Sequence, residues 1–188
     1  VTEFSGRGVG MDVVKKNVES VGGVISITSE LGKGSCTTLK IPLTLAIVDG
    51  MEISVGNSIF TIPIANIRQS FKAEKESIIL DASGNEIIKC MDEFYPIVRI
   101  HDLYNIETDI TNIEDGILIW VEASDKSYCL FVDELLGEQQ VVVKPLPAYL
   151  NNFNIKDSGI SGCTILGDGN ISIILDVLNL YLVSENQY

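Results

Sequence analysis

From Ala46 onward the chain alternates apolar and polar residues in short runs, broken by turn signals about every ten residues. Ile47–Val55 leads into Gly56-Asn57, and Ser58–Ile62 returns. Ile78–Leu80 is followed by Ser83-Gly84-Asn85, then Glu86–Met91 and Ile97–Ile100. A second series opens at Gly116: Ile117–Ala123, a Ser124-Asp125-Lys126 turn, Tyr128–Val132, Gln140–Lys144, Cys163–Leu166 and Ile171–Leu175. Successive strand side chains point to opposite faces, so each run can bury one face and wet the other. Short strands at even spacing with few helices predict a mainly β fold of small barrels. The hydrophobic content, 46% of 188 residues, is enough to fill real cores.

The two series resemble each other. Ser58-Ile59-Phe60-Thr61-Ile62-Pro63-Ile64 is similar to Ser127-Tyr128-Cys129-Leu130-Phe131-Val132-Asp133, and Tyr95–Ile100 is similar to Ile171–Asp176. Predicted helical turns follow at His101–Tyr104 and Val177–Leu182. The repeat predicts two stacked barrels, residues 46–105 and 116–188, each too small to be robust alone. An Ile/Asn/Thr/Asp-rich connector, Tyr104–Asp115, joins them.

The chain before residue 46 reads differently. In Ser5-Gly6-Arg7-Gly8-Val9-Gly10-Met11-Asp12, three glycines alternate with other residues ahead of a helix-forming run. Glycines let backbone N–H groups approach an anion, and a helix N-terminus adds its dipole and unpaired donors there. Ser5 or Gly6 is a candidate cap, and Val9, Val13, Val14, Val18 and Val21 form an apolar helical stripe ended by Gly22-Gly23. Val24–Ser29 and Ser35–Leu43 then read as a hairpin through Leu31-Gly32-Lys33-Gly34.

The ordered series SGRGVGMDVVKKNVESVGG, SELGKGS and KIPLTLAIVDGM resembles the end of the ATP-binding domain of CheA-type chemotaxis histidine kinases. These share their ATPase fold with gyrase, Hsp90 and MutL. VDELLGEQQVVVK and TILGDGNISIILDV resemble the C-terminal regulatory domain of the same family, which is similar to the adaptor CheW. The resemblance implies a C-terminal fragment of such a kinase: a partial α/β piece, residues 1–45, then a CheW-like domain, residues 46–188, of two tandem SH3-like β-barrels. It further implies that Gly6, Arg7, Gly8, Val9, Gly10 and Met11 belong to an ATP lid. Ser35 departs from the family's usual Thr, and Thr37 from its usual apolar residue. The family's magnesium-binding Asn, its adenine-reading Asp, its dimerisation helices and its phosphoacceptor His domain lie upstream. The expectation is therefore no cofactor in this fragment, ATP and Mg in the full-length parent, and no catalysis by this chain alone. Phosphoryl transfer needs metal and lid positioned together.

Binding is what the second part can do. Pro63 lacks an N–H, so its strand must lie at an edge or stop there. Ile64 and Ile67 stand one turn apart if the chain curls after it. The resemblance places Ile64, Ile67, Ile117 and Leu135 in the contact with CheW, and it implies chemoreceptor cytoplasmic tips and the rest of a homodimeric kinase as further partners. The implied role is a coupling module in two-component chemotaxis signalling, cytoplasmic and held at membrane receptor arrays through its partners. The alternatives are protein histidine kinase activity in the chain itself, or a free-standing CheW-like adaptor.

A formal net charge of -13 argues against nucleic acid and anionic membranes as partners. No apolar run is long enough to insert into a bilayer. Cys36, Cys90, Cys129 and Cys163 show no CxxC spacing and read as reduced, packed thiols, and no acidic series has the spacing of a metal loop. His101, the only histidine, reads as a structural or surface residue and not as a phosphate acceptor.

Overall fold

The computed structural model describes residues 10–20, 23–41, 47–144, 146 and 158–185. The chain divides into two compact units, residues 1–46 and 47–188. In the first, helix α1 (Met11–Ser20) precedes an antiparallel hairpin of β1 (Val24–Glu30) and β2 (Gly34–Lys40). The helix ends where Gly23 turns the chain back, its N–H donating to the Val18 carbonyl at 2.8 Å. A Cβ on Gly23 would stand 2.8 Å from Val18 Cγ1 and 2.9 Å from the Lys40 carbonyl, so only glycine fits there. Among the described residues of this unit Val18 is the one buried hydrophobic side chain, while Met11, Val13, Val14, Val24, Ile27 and Leu39 stay exposed. The proposed Ser5 or Gly6 cap lies outside the described residues.

The second unit is mainly β. Its strands are β3 (Ile47–Val55), β4 (Ser58–Pro63), β5 (Ile67–Phe71), β6 (Ile78–Leu80), β7 (Glu86–Cys90), β8 (Glu93–Arg99), β9 (Ile117–Ala123), β10 (Lys126–Val132), β11 (Glu134–Val142), β12 (Ile160–Ile165) and β13 (Ile171–Leu175). Helix α2 (Ile100–Tyr104) follows β8, and α3 (Val177–Glu185) follows β13. One sheet runs β5-β9-β10-β8-β7-β6, the other β11-β3-β4-β13-β12. Beyond β11, Lys144 and Cys163 exchange both backbone hydrogen bonds, at 2.8 and 3.0 Å, and tie the two edges of the five-stranded sheet together.

Two β-sheets are present as the alternation requires, but the boundary near residues 105–116 does not divide them. The six-stranded sheet is one stretch, β5 to β10. The five-stranded sheet takes β3 and β4 from before it and β11 to β13 from after it. The cause is the strand after each hairpin. β5 leaves β4 to pair with β9, and β11 leaves β10 to pair with β3. Each half thus lends its partner a strand, and the large core draws on both: Ile53, Phe60, Ile62 and Leu175 meet Val98, Ile119, Tyr128 and Leu130.

The internal repeat is real but shifted by one residue from the similarity read in sequence. Each hairpin, β3–β4 and β9–β10, places its second strand parallel to a strand that leads into a helix, β13–α3 and β8–α2. Phe60 and Ile62 match Tyr128 and Leu130, all four in the shared core, whereas Cys129 faces the separate core inside the six-stranded sheet. A one-residue slip reverses every side chain, so burial fixes the alignment where residue similarity does not. The rings agree: Phe60 stacks on Tyr104 of α2 at 5.7 Å, and Tyr128 meets Tyr181 of α3 at 5.3 Å.

Candidate docking surfaces

The lid residues Gly6, Arg7, Gly8 and Val9 lie outside the described residues. Gly10 and Met11 stand at the head of α1, where the Gly10 N–H donates to Asp12 Oδ1 at 3.2 Å. A carboxylate thus already sits at the positive end of this helix, where an incoming phosphate would meet like charge. Nothing lies within 4 Å of a Cβ built on Gly10, and Met11 is exposed. Among the described residues no three His, Cys, Asp or Glu side chains converge as metal ligands.

The four apolar residues singled out in sequence do not form one patch. The chain does curl after Pro63, into a 3-10 turn over Ile64–Asn66 with the Ile67 N–H donating to the Ile64 carbonyl. Ile64 is half-buried, beside a groove of about 270 Å3 lined by Pro63, Asn66, Ala123, Ser161, Asp176 and Val177. Ile67, Ile117 and Leu135 are half-buried and pack against the shared core. Ile67 pairs with Val121 on β9, four positions from Ile117 and about 13 Å along the strand. Ile117 pairs with Val132, which leads through Asp133 to Leu135. Two separate pairs result.

The apolar side chains that reach solvent lie elsewhere. On β6, β7 and β8 the inward face carries Ile78, Ile88 and Tyr95. The outward face, set by the Ile79–Ile87 and Lys89–Phe94 pairings, carries Ile79, 47% exposed, and Phe94, 54% exposed. Leu80 and Met91 add further exposed surface at the ends of these strands, at 64% and 77%. The other sheet has a counterpart. Val98 and Leu175 occupy equivalent core places, so Phe94 corresponds to Ile171, which is 63% exposed and pairs with Ile165, 56% exposed. Sequence alternation alone cannot find these patches, because it marks both faces of a strand without saying which is covered.

Several polar groups are structural. Asp133 is buried and accepts the Gly56 N–H at 2.7 Å and the Thr108 hydroxyl at 2.6 Å on one oxygen. Arg99 forms a two-point pair with Glu86, at 2.6 and 3.0 Å, and lies 4.7 Å over the Phe131 ring. His101 is buried with its ring edge-on to the same phenylalanine. Cys90 and Cys129 are buried, and burial pushes the Cys129 thiol well above its ordinary range. Cys36 corrects the expectation of four packed thiols. It is exposed, because both faces of the β1–β2 hairpin are open.

Glu52 is the titratable group with a pH consequence. Burial first, and the nearby Asp168 second, raise its carboxyl above the usual glutamate range. A raised carboxyl binds more protons folded than unfolded, so stability falls as pH rises through the window just above that range. Glu52→Gln removes this fall. The variant is expected to exceed the parent in urea midpoint at neutral pH, with the gap closing on acidification to below the ordinary glutamate range. A gap that widens on acidification contradicts the assignment.

Comparison with known proteins matches residues 49–183 to the family model described as CheW-like domain. The chain belongs to the CheW-like domain family. It is similar to the chemotaxis protein CheA of Klebsiella aerogenes, 37% identical over 187 residues, covering 100% of this chain and 28% of that protein. The sensor histidine kinase CheAY of Helicobacter pylori is 36% identical over 177 residues, covering 94% of this chain and 21% of that protein. The chain therefore spans between about a fifth and little more than a quarter of these relatives, and in CheA the part it matches is the C-terminal CheW-like region. Among solved structures, the scaffolding protein TtCheW from Thermoanaerobacter tengcongensis superposes with a TM-score of 0.55 at 16% identity, covering 68% of this chain and 88% of that one. That likeness concerns the fold. Among the described residues no helix is long and apolar enough to cross a membrane.

Proposed function

We propose that this chain is the coupling module of a chemotaxis histidine kinase, docking a CheW adaptor and the cytoplasmic tips of chemoreceptors in arrays at the membrane. The observation that carries the reading is the pair of exposed apolar patches, Ile79/Phe94 and Ile165/Ile171, with Phe94 and Ile171 at equivalent places on the two sheets of a CheW-like domain. Apolar surface outside both cores, on strands anchored by those cores, suits protein partners. Two such patches suit two partners held at once. Signals pass by changing how the kinase's ATP-binding region is held against this module.

The test is adaptor binding by the intact chain. Phe94→Glu puts a charge into the larger patch without entering a core, and is expected to weaken CheW binding at least tenfold. Ile64→Glu tests the groove beside Pro63 in the same assay. Unchanged affinity in both variants, with folding intact, contradicts the assignment of these surfaces. ATP and magnesium act in the full-length kinase on this reading, and the chain alone does not transfer phosphate. Micromolar Mg-ATP binding to it in calorimetry contradicts that part.

A further inference from the structure

Residues 105–115, between α2 and β9, lie as a strap across the second unit. Ile106 packs on the shared core, and Ile110 and Ile113 pack on the core inside the six-stranded sheet. Two polar tethers hold the strap's middle: Thr108 Oγ1 donates to Asp133 Oδ2 at 2.6 Å, and Arg99 Nη1 donates to the Thr111 carbonyl at 2.7 Å. Its packing is incomplete at one side. A half-open surface pocket of about 240 Å3 lies between residues 111–114 and Lys75, Ile78 and Glu86, with Arg99 in its wall. Asp133 and His101 are each 8% exposed, and Asp133 Oδ1 and His101 Nδ1 have no hydrogen-bond partner. An enclosed polar atom without a partner destabilises the closed arrangement, and water regains access to it on opening. The strap's ends are fixed points: Asn105 holds a left-handed conformation, φ 52°, and Gly116 is held against the Phe131 ring, where a Cβ would come within 2.5 Å.

We propose that this strap is a lid that opens as a unit, short of global unfolding, and uncovers Leu118, Phe131 and Arg99. Regions with few tethers and imperfect packing open at lower free energy than the strands they cover. Thr108 is the catch. Its hydroxyl donates to the Asp133 side chain and accepts the Ile110 N–H at 3.1 Å, so one group ties the strap both to β11's approach and to itself. The opening hides or reveals apolar surface distinct from the Ile79/Phe94 patch, so the lid gives this module a second, switchable face.

Residue-resolved hydrogen exchange on the intact chain tests this. Thr108→Val keeps the shape and removes the donor. The amides of Ile106, bonded to the His101 carbonyl, and Asp115, bonded to the Asn112 carbonyl, are expected to exchange roughly 10- to 100-fold faster. Amides of Ile119 and Leu130 in the sheet should keep their rates, and Thr108→Ser should restore the lid. If strap and sheet amides accelerate together, the residue acts on global stability and the lid is refuted. Acceleration confined to Ile110, or none at all, refutes it equally.

Discussion

Phe131→Ala is expected to lower the stability of the second unit by about 3–5 kcal/mol, the usual range for a fully buried phenylalanine. The ring is 0% exposed and lies at the centre of the six-stranded sheet's core. It is also the surface on which two polar groups rest, Arg99 over its face at 4.7 Å and His101 against its edge at 5.9 Å. Removing the ring leaves a cavity and strips a neighbour from a buried histidine, so the loss should fall in the upper part of that range. Domains of ordinary stability have about 5–15 kcal/mol in hand, and a loss of this size moves many of them to the edge of unfolding. Urea denaturation followed by the fluorescence of Trp120, which packs on the same core, reads the change. Arg99→Leu is the control that apportions it. That variant removes the guanidinium and keeps the ring, and should cost less than half as much. Equal losses in the two variants would place the ion pair, not the ring, at the centre of this core.

The sequence was legible where local chemistry decides and illegible where distant edges meet. Strands β3, β4, β9, β10 and β13 stand close to where the alternating runs predicted them, because β3–β4 and β9–β10 are joined by the local turns at Gly56-Asn57 and Ser124-Asp125, and β13 follows the turn between Leu166 and Asn170. The fates of β5 and β11 could not be read. Ile67–Phe71 and Glu134–Val142 carry no mark of which free edge they will join, and each joins the sheet its own hairpin does not belong to. Nothing in the run VDELLGEQQ marks where the partners of Asp133 lie. Its real partners, Gly56 and Thr108, are 77 and 25 residues away, and only the exchange of strands brings them together. Exposure was equally hidden. Phe94 and Phe131 look alike in sequence, yet one faces solvent and the other is enclosed, since Phe131 points into the core inside the six-stranded sheet while Phe94 stands on the outward face at the start of β8, before the Ile97–Arg99 stretch that pairs with β10. The glycine run before α1 identified the family through an ordered series of motifs, while its own geometry, as far as Gly10 and Met11 show it, ends in a helix already capped by Asp12.

Gly56→Ala is the single-methyl change expected to do most damage, about 2–5 kcal/mol when strain and overpacking act together. Gly56 turns β3 into β4 with φ 54°, a left-handed conformation that glycine adopts freely and alanine does not. Sterics make it worse. A Cβ there would stand 2.3 Å from the Glu107 carbonyl oxygen, a backbone atom of the strap, so the collision is relieved only when the strap shifts or opens. The equivalent hairpin position, Ser124, holds nearly the same angle, φ 56°, with a side chain. Left-handed geometry is therefore tolerated in this fold, and the close approach of Glu107 is what demands glycine. Comparing Ser124→Gly with Gly56→Ala separates the two contributions. Relieving strain at Ser124 should change stability by less than about 1 kcal/mol, so most of the loss at Gly56 belongs to the collision. The Gly56 N–H also donates to Asp133, so pushing the turn away from Glu107 stretches the hydrogen bond that shares its acceptor oxygen with Thr108. One methyl group would then loosen the hairpin turn, the strap and the crossing into β11 together. If Gly56→Ala leaves the urea midpoint within the effect of Ser124→Gly, the strap yields to the added methyl and is not packed firmly over the turn.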